Sequence, residues 1–292
     1  ASEAIFLHKS EIVPLKILNI RTPAANIIKQ EMLACGGDCA IPAGCVVCAE
    51  ERVDVILLGT YKHYARLLEK LTQMPYFGMA EIKRELTAIL DAPIPQTILA
   101  DGRTLNYDKM LVMGILNITP DSFYAGSRVS QLEQVVERAG EMLRQGASVL
   151  DIGGESTRPG SDAVAAEEEQ KRVVPVIKAL KERYPASVIS IDTYRASTAE
   201  AALAAGADII NDVTAMEGDA AMSDLVVDSK APVILMHMRG TPKNMQQNCE
   251  YKNVVTEVAA YLLQRANVLE KRGVTKEKII FDPGIGFAKN IE

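Results

Sequence analysis

Apolar and polar positions are arranged in two different ways along this chain. From Leu111 onward, short continuous apolar runs recur as LVMGILNI, SVLDIGG, VISIDT, DIINDV, PVILMHM and KIIFDPG, each closing on polar residues. Runs of this length fit parallel strands buried on both faces. Helical patterns lie between them. Ser130-x-x-Glu133 has capping-box spacing and opens a helix with Leu132, Val135, Val136, Ala139, Met142 and Leu143 on one side, closed by Gly146. Ser197-x-x-Glu200 repeats the device, with Gly206 as its stop. Lys252–Gly273 carries Val254, Val255, Val258, Leu262 and Leu269 at helical spacing. Six β units result, five of them followed by a helix.

The first part of the chain reads differently. Strand-like stretches fall at Leu15–Ile20 and Val53–Gly59. A helix is predicted from Thr22-Pro23, since proline suits a first helical turn, and another over Tyr61–Leu71 with Tyr64, Leu67, Leu68 and Leu71 on one face. A small α/β domain over residues 1–95 is the expectation. The two prolines of Asp91–Pro95 mark a linker, and Asp101-Gly102 between two short apolar runs predicts a hairpin. Residues 96–292 form the second predicted domain.

Alternating β and α units mean a parallel sheet, either doubly wound or closed as a TIM (β/α)8-type barrel. Polar residues sit at the C-terminal end of every run: Asn117, Asp151 and Glu155, Asp192, Asn211 and Asp212, His237, Asp282. A barrel gathers all these ends on one face, whereas an open sheet gathers only those at a switch point. The barrel is therefore preferred, although six units leave it two short of eight, with exposed sheet edges.

Composition narrows the function. The 292 residues are 48% apolar, and 24% are charged, with a net charge of -6. An acidic chain without a long Lys/Arg run argues against non-specific nucleic-acid binding. No apolar stretch approaches the ~20 residues of a membrane span, and the N-terminus lacks a signal pattern. Five cysteines in a long chain argue against a disulfide scaffold. A soluble, cytoplasmic, reduced protein is expected.

The loops after the strands hold the candidate chemistry. NITPDSF, from Asn117 to Phe123, is rich in oxygen ligands suited to a hard cation and a phosphate oxygen, or is simply a Pro-Asp-Ser turn. GGESTRPG pairs two glycines with Arg158, which suits an anion, or is a flexible loop with a solvated arginine. Asp192, Asn211 and Asp212 at strand ends suit the donor–acceptor edge of a heterocycle; a lone Asp there is more often a cap or loop anchor. Met236 suits a flat ligand or the core. Phe287 offers a stacking face, and His237 suits a base or a hydrogen-bonded structural role.

Taken together and in order, NITPDSF, GGESTRPG, SIDT, IIND, LMHMRG and FDPGIGF resemble the signature of the dihydropteroate synthases, over about two-thirds of the chain. The resemblance implies a pterin-binding barrel transferase of folate biosynthesis, the sulfonamide target. Members condense 6-hydroxymethyl-7,8-dihydropterin pyrophosphate with p-aminobenzoate, with Mg²⁺ assistance and S_N1-like loss of pyrophosphate. Carried over by motif, Asn117 is expected against Mg²⁺ and the pyrophosphate. Asp121 belongs to the first loop, which closes over the pyrophosphate, and Thr157, Arg158 and Pro159 match the second. Asp192, Asn211 and Asp282 match the residues that hydrogen-bond the pterin, while Met236 and Phe287 line its pocket. Asp192 and Asp121 are the expected catalytic groups. The family's Ser-Arg-Lys and Arg-x-His segments are missing, so the expectation is a transferase by family in truncated form, with the activity of this chain alone left open. Members are homodimers, and the interface draws on C-terminal helices this chain lacks.

Cys35, Cys39, Cys45 and Cys48 fall within a short span, and Cys45-x2-Cys48 has a zinc-like spacing. Val46-Val47 reads as strand interior, which would point those two thiols apart, so buried reduced thiols stand beside zinc as readings. Two rival functions also remain open. One is a pterin-binding methyltransferase moving methyl from methyltetrahydrofolate to a corrinoid. The other is a non-catalytic pterin-binding or assembly module.

Overall fold

The computed structural model describes residues 11–118, 128–155, 164–240, 244–245 and 249–290. They fall into two compact units, Ala1–Pro93 and Ile94–Glu292.

In the first unit β1 (Val13–Arg21), β2 (Asp38–Ala40) and β3 (Arg52–Gly59) form an antiparallel sheet in the order β1-β3-β2. Val53, Val55 and Leu57 alternate with exposed neighbours along β3, so one face of the sheet is buried. Helices α1 (Thr22–Ala34), α2 (Tyr61–Leu71) and α3 (Met79–Leu90) supply Ile28, Met32, Tyr64, Leu67, Met79 and Leu86 to the same core. Pro23 sits in the first turn of α1, where its missing N–H costs nothing.

Val46-Val47 is not strand. Ala43–Val47 is a 3-10 turn after Pro42, and both valines are exposed. Cys35, Cys39 and Cys45 are buried in the core, and Cys48 faces solvent. Burial pushes the Cys39 thiol up to about 11 and raises Cys45 as well, which disfavours the thiolates a zinc ion needs. Among the described residues, no group of three or more His, Cys, Asp or Glu could hold a metal ion. Cys35, Cys39 and Cys45 are core residues.

The second unit opens with a hairpin of β4 (Gln96–Ile98) and β5 (Thr104–Asn106), turned by Gly102 at φ 88°. Six parallel strands follow: β6 (Val112–Asn117), β7 (Ala147–Gly153), β8 (Val188–Asp192), β9 (Ile209–Asp212), β10 (Val233–Met236) and β11 (Ile279–Asp282). They pair strictly in sequence order, the wiring of a barrel rather than of a doubly wound sheet.

Successive side chains point to opposite faces, so the strand register sorts the residues into two sets. Outward-facing Leu116, Leu150, Ile152, Ile189, Ile191, Ile210, Val233 and Leu235 pack with Val173, Ile177, Ala199, Val226, Leu262 and their neighbours in the covering helices. Inward-facing Val149, Val188, Ile209 and Ile234 form a separate lower cluster with Leu99, and Met113, Ile280 and Leu105 pack against it. The hairpin thus closes the bottom of the sheet. Arg103 fastens it by hydrogen bonds to Asp208 and the Ala186 carbonyl, and Lys278 reaches the Ile98 carbonyl. At the outer strands Ile115 is 59% exposed and Phe281 45%, since neither β6 nor β11 has a second strand neighbour among the described residues.

Two helix starts differ from the sequence pattern. The helix α4 (Arg128–Arg144) begins two residues ahead of Ser130, so Ser130 lies inside its first turn. Ser197 lies within α6 (Ala196–Ala204), whose first N–H is satisfied from elsewhere in the chain: Ala196 N–H donates to Asp219. Between these two, α5 spans Ala166–Arg183, and α7 (Met222–Ser229) follows β9. The helix predicted over Lys252–Gly273 is α8 (Val254–Glu270), and Asn253 caps it by accepting from the Thr256 N–H.

Candidate active site

Above the apolar floor, the inward positions of the strands turn polar. Asp151 of β7 and Ser190 of β8 stand side by side, Asn211 of β9 pairs with Asp192, and Met236 of β10 pairs with Asp282 of β11. The Asn211 amide donates to Asp151 Oδ2 at 3.2 Å. Four buried side-chain oxygens lack a hydrogen-bond partner among the described residues, and three belong here: Asp151 Oδ1, Ser190 Oγ and Asn211 Oδ1. Leaving buried polar atoms unpaired costs about 1–3 kcal/mol each. Their convergence therefore points to a ligand with a polar edge. Met236 is buried beside them and offers an apolar flank.

One level higher, Asn117, Gly153 and Asp192 stand side by side in the register of β6, β7 and β8. A Cβ on Gly153 would lie 3.0 Å from Asn117 Oδ1 and 3.3 Å from Asp192 Oδ2. The missing side chain lets an amide oxygen and a carboxylate oxygen share one space. Burial raises the Asp192 carboxyl well above its ordinary range, and the negative charges of Asp151, Glu169, Asp212 and Glu155 add to this. Burial pushes Asp151 up as well. Perturbed carboxyls gathered in one recess are a mark of functional sites.

Around the rim, Asp212 turns outward and anchors its own loop, accepting from Thr214 N–H and Oγ1 and from Met216 N–H. His237 is buried against Tyr251 and Tyr261, and Lys289 donates to its Nδ1 at 3.1 Å. Burial and the Lys289 charge lower its pKa, so His237 holds the wall together. Lys289 also donates to the carbonyls of Gly284 and Phe287. Gly284 has φ 65°, and a Cβ there would lie 2.1 Å from the His237 carbonyl oxygen, so only glycine permits this turn after β11. Asp282 accepts from the Gly284 N–H at 2.7 Å, and Phe287 is half-buried in the same loop.

Of the sequence-predicted residues, Asn117, Asp192, Asn211, Met236 and Asp282 are brought to the inner face of one sheet, with Phe287 in the loop after β11. Asp121, Thr157, Arg158 and Pro159 lie outside the described residues. Asp151 was named among the strand-end polar residues but given no ligand role, and Ser190 was missed. Ser190 precedes Asp192 by two positions on one strand, so the period-2 rule alone places it on the same face. Glu169 and Arg195 carried no such signal: Glu169 lies in an acidic run that reads as a solvated helix face.

A family model described as pterin binding enzyme matches residues 113–292. The dihydropteroate synthase of Synechocystis sp. is 41% identical over 200 residues, covering 68% of this chain and 67% of that protein. The chain belongs to the dihydropteroate synthase family. A solved Xanthomonas albilineans dihydropteroate synthase with 4-aminobenzoic acid superposes with TM-score 0.60 at 42% identity, over 68% of this chain and 69% of that one. A Burkholderia cenocepacia dihydropteroate synthase complexed with 7,8-dihydropteroate gives TM-score 0.58 at 40% identity, over 67% and 65%.

A longer match is the probable bifunctional folylpolyglutamate synthase/dihydropteroate synthase of Halobacterium salinarum, 40% identical over 271 residues. It covers 93% of this chain, a span that must extend into the first unit. The chain spans about a third of the length of the bifunctional relatives it matches. No helix among the described residues is long and apolar enough to cross a membrane.

Proposed function

We propose that this chain works as a dihydropteroate synthase, joining 6-hydroxymethyl-7,8-dihydropterin pyrophosphate to p-aminobenzoate to give 7,8-dihydropteroate and pyrophosphate. The observation that carries the reading is the buried cluster of Asp151, Ser190 and Asn211, in which Ser190 and Asn211 approach the Asp151 carboxyl and the oxygens of all three keep accepting capacity to spare. A pterin presents a 2-amino group and ring N–H groups next to a carbonyl and ring nitrogens. That edge offers donors to the three oxygens, while Met236 packs on the flat ring. Asp282, at the inner end of β11, joins the hydrogen-bonding set, and Phe287 lines the entrance. The solved relatives bound to 4-aminobenzoic acid and 7,8-dihydropteroate support the same substrate pair.

In the reaction, the C–O bond from the pterin methylene to pyrophosphate breaks and both electrons leave with the pyrophosphate. The arylamine lone pair then forms the C–N bond, and the amine loses a proton. Positive charge spreads over the pterin as the C–O bond opens. Asp192, a carboxylate held at a cost in the free protein, gains most when that charge appears, so it favours the transition state over the neutral ground state.

The oxygens of Asn117 and Asp192, facing one space over Gly153, suit a hard cation such as Mg²⁺. Asn117 would hold the ion, which when bound supplies neutralising charge to the leaving group. Asp121 and the Thr157-Arg158-Pro159 segment are assigned to the pyrophosphate and p-aminobenzoate side by motif. The reduced thiols of Cys35, Cys39, Cys45 and Cys48 support a reducing compartment, and we assign the reaction to the cytoplasm.

The test is dihydropteroate formation by the full chain with both substrates and Mg²⁺. Product that requires both substrates, with Asp192→Asn lowering kcat far more than it weakens pterin binding, is expected. A folded sample that binds no pterin overturns the assignment.

A further inference from the structure

Behind the site, a buried charge cluster ties three elements together. The Arg195 guanidinium donates from one nitrogen to Glu155 at 2.6 Å and to Glu169 at 2.8 Å, and from the other to the Tyr194 hydroxyl. It also lies 4.3 Å over the Tyr194 ring. Glu169, 1% exposed, additionally accepts from Thr198 Oγ1. Glu155 stands at the exit of β7, Glu169 in the first turn of α5, and Arg195 three residues after Asp192 at the cap of α6. A single cation therefore balances two carboxylates from two other elements. Losing that cation leaves like charges facing each other, with Glu169 1% exposed and Glu155 15%.

We propose that Arg195 is a positioning residue of this site: by pairing with Glu155 and Glu169 it fixes the exits of β7 and β8, and with them the backbone that carries Gly153 and Asp192. The planar fork of an arginine suits this task, because one side chain reaches two carboxylates and stacks on a ring. Among the described residues none of its hydrogen bonds is with the inward polar layer, so it acts through its neighbours. The consequence for ligands rests on the pterin reading above. The consequence for the backbone does not.

The test compares Arg195→Met, Arg195→Lys and Glu155→Gln in the full chain, by amide hydrogen exchange and by titration with 6-hydroxymethylpterin. In Arg195→Met, amides of Gly153–Glu155 and Asp192–Tyr194 are expected to exchange at least tenfold faster, while β9 and β10 amides keep their protection. Pterin affinity falls about tenfold in parallel. Arg195→Lys keeps a cation at Glu155 and Glu169 and recovers most of both effects. Glu155→Gln loosens the β7 exit alone and covers the case in which Arg195→Met fails to fold.

Unchanged exchange at both exits in the folded variants overturns the proposal, as does loosening spread evenly over the whole sheet. Wild-type protein that binds no pterin, with the local change still present in Arg195→Met, overturns the pterin reading and leaves the positioning role standing.

Discussion

Gly153→Ala separates the site from the fold. The added methyl would lie 3.0 Å from Asn117 Oδ1 and 3.3 Å from Asp192 Oδ2, so each must move by a few tenths of an ångström. Gly153 is absent from the positive-φ positions, so its backbone accepts alanine. Replacing glycine at a compatible position stabilises by roughly 0.4–1 kcal/mol through the unfolded chain. Pushing the two side chains off their rotamers costs about 0.5–1.5 kcal/mol each. The net loss is at most about 2.5 kcal/mol, and the melting temperature should fall by no more than about 10 °C. Binding is another matter. The methyl occupies the space that the two oxygens share, and losing one charged contact there costs about 1.5–3 kcal/mol, or ten- to hundredfold in affinity. Calorimetry with a pterin pyrophosphate analogue and Mg²⁺, alongside a thermal melt, reads both quantities. Unchanged affinity in the folded variant would refute the assignment of this space to the ligand.

Asp192→Asn should stabilise the ligand-free protein at neutral pH. A carboxyl raised above 3.8 in the fold contributes stability below that value and loses it as pH rises through the folded pKa. The wild-type and variant stabilities should therefore converge below about pH 4 and separate above it, as denaturant titrations across pH would show; parallel curves contradict the burial argument. Leu99→Ala empties a buried position in the hairpin floor, which packs against Val149, Val188, Ile209 and Ile234. It should cost about 2–5 kcal/mol by urea unfolding, and a cost under 1 would mean that the hairpin does not seal the sheet. Gly284→Ala forces its methyl against the His237 carbonyl. It should lower the melting temperature and expose Phe287 together, while a wild-type melt would contradict the close approach.

The order of six strands and the polar residues at their ends could be read directly, because buried parallel strands are apolar without interruption and only their ends carry chemistry. Val46-Val47 misled because β-branched residues favour strands, yet Pro42 and Gly44 bend this stretch into a 3-10 turn with both valines in solvent. Ser197 misled because a local capping pattern was outcompeted by Asp219, which caps the same helix from 23 residues away. Arg195 and Glu169 were invisible as a pair, since nothing in a sequence distinguishes a charge that will be buried against a partner from one that stays solvated. Asn211 was placed by motif, but its reach across to Asp151 comes only from the folded side chains, since the register sets it beside Asp192.

The central claim is that Asp151, Ser190 and Asn211 read a pterin edge. Calorimetric titration of the chain with 6-hydroxymethylpterin, wild type against Asn211→Leu, tests it most directly. The account predicts one-to-one binding that weakens at least tenfold in Asn211→Leu, because the variant removes both an acceptor for the ring and the donor to Asp151. Equal binding by the two proteins, or none by folded wild type, would contradict it.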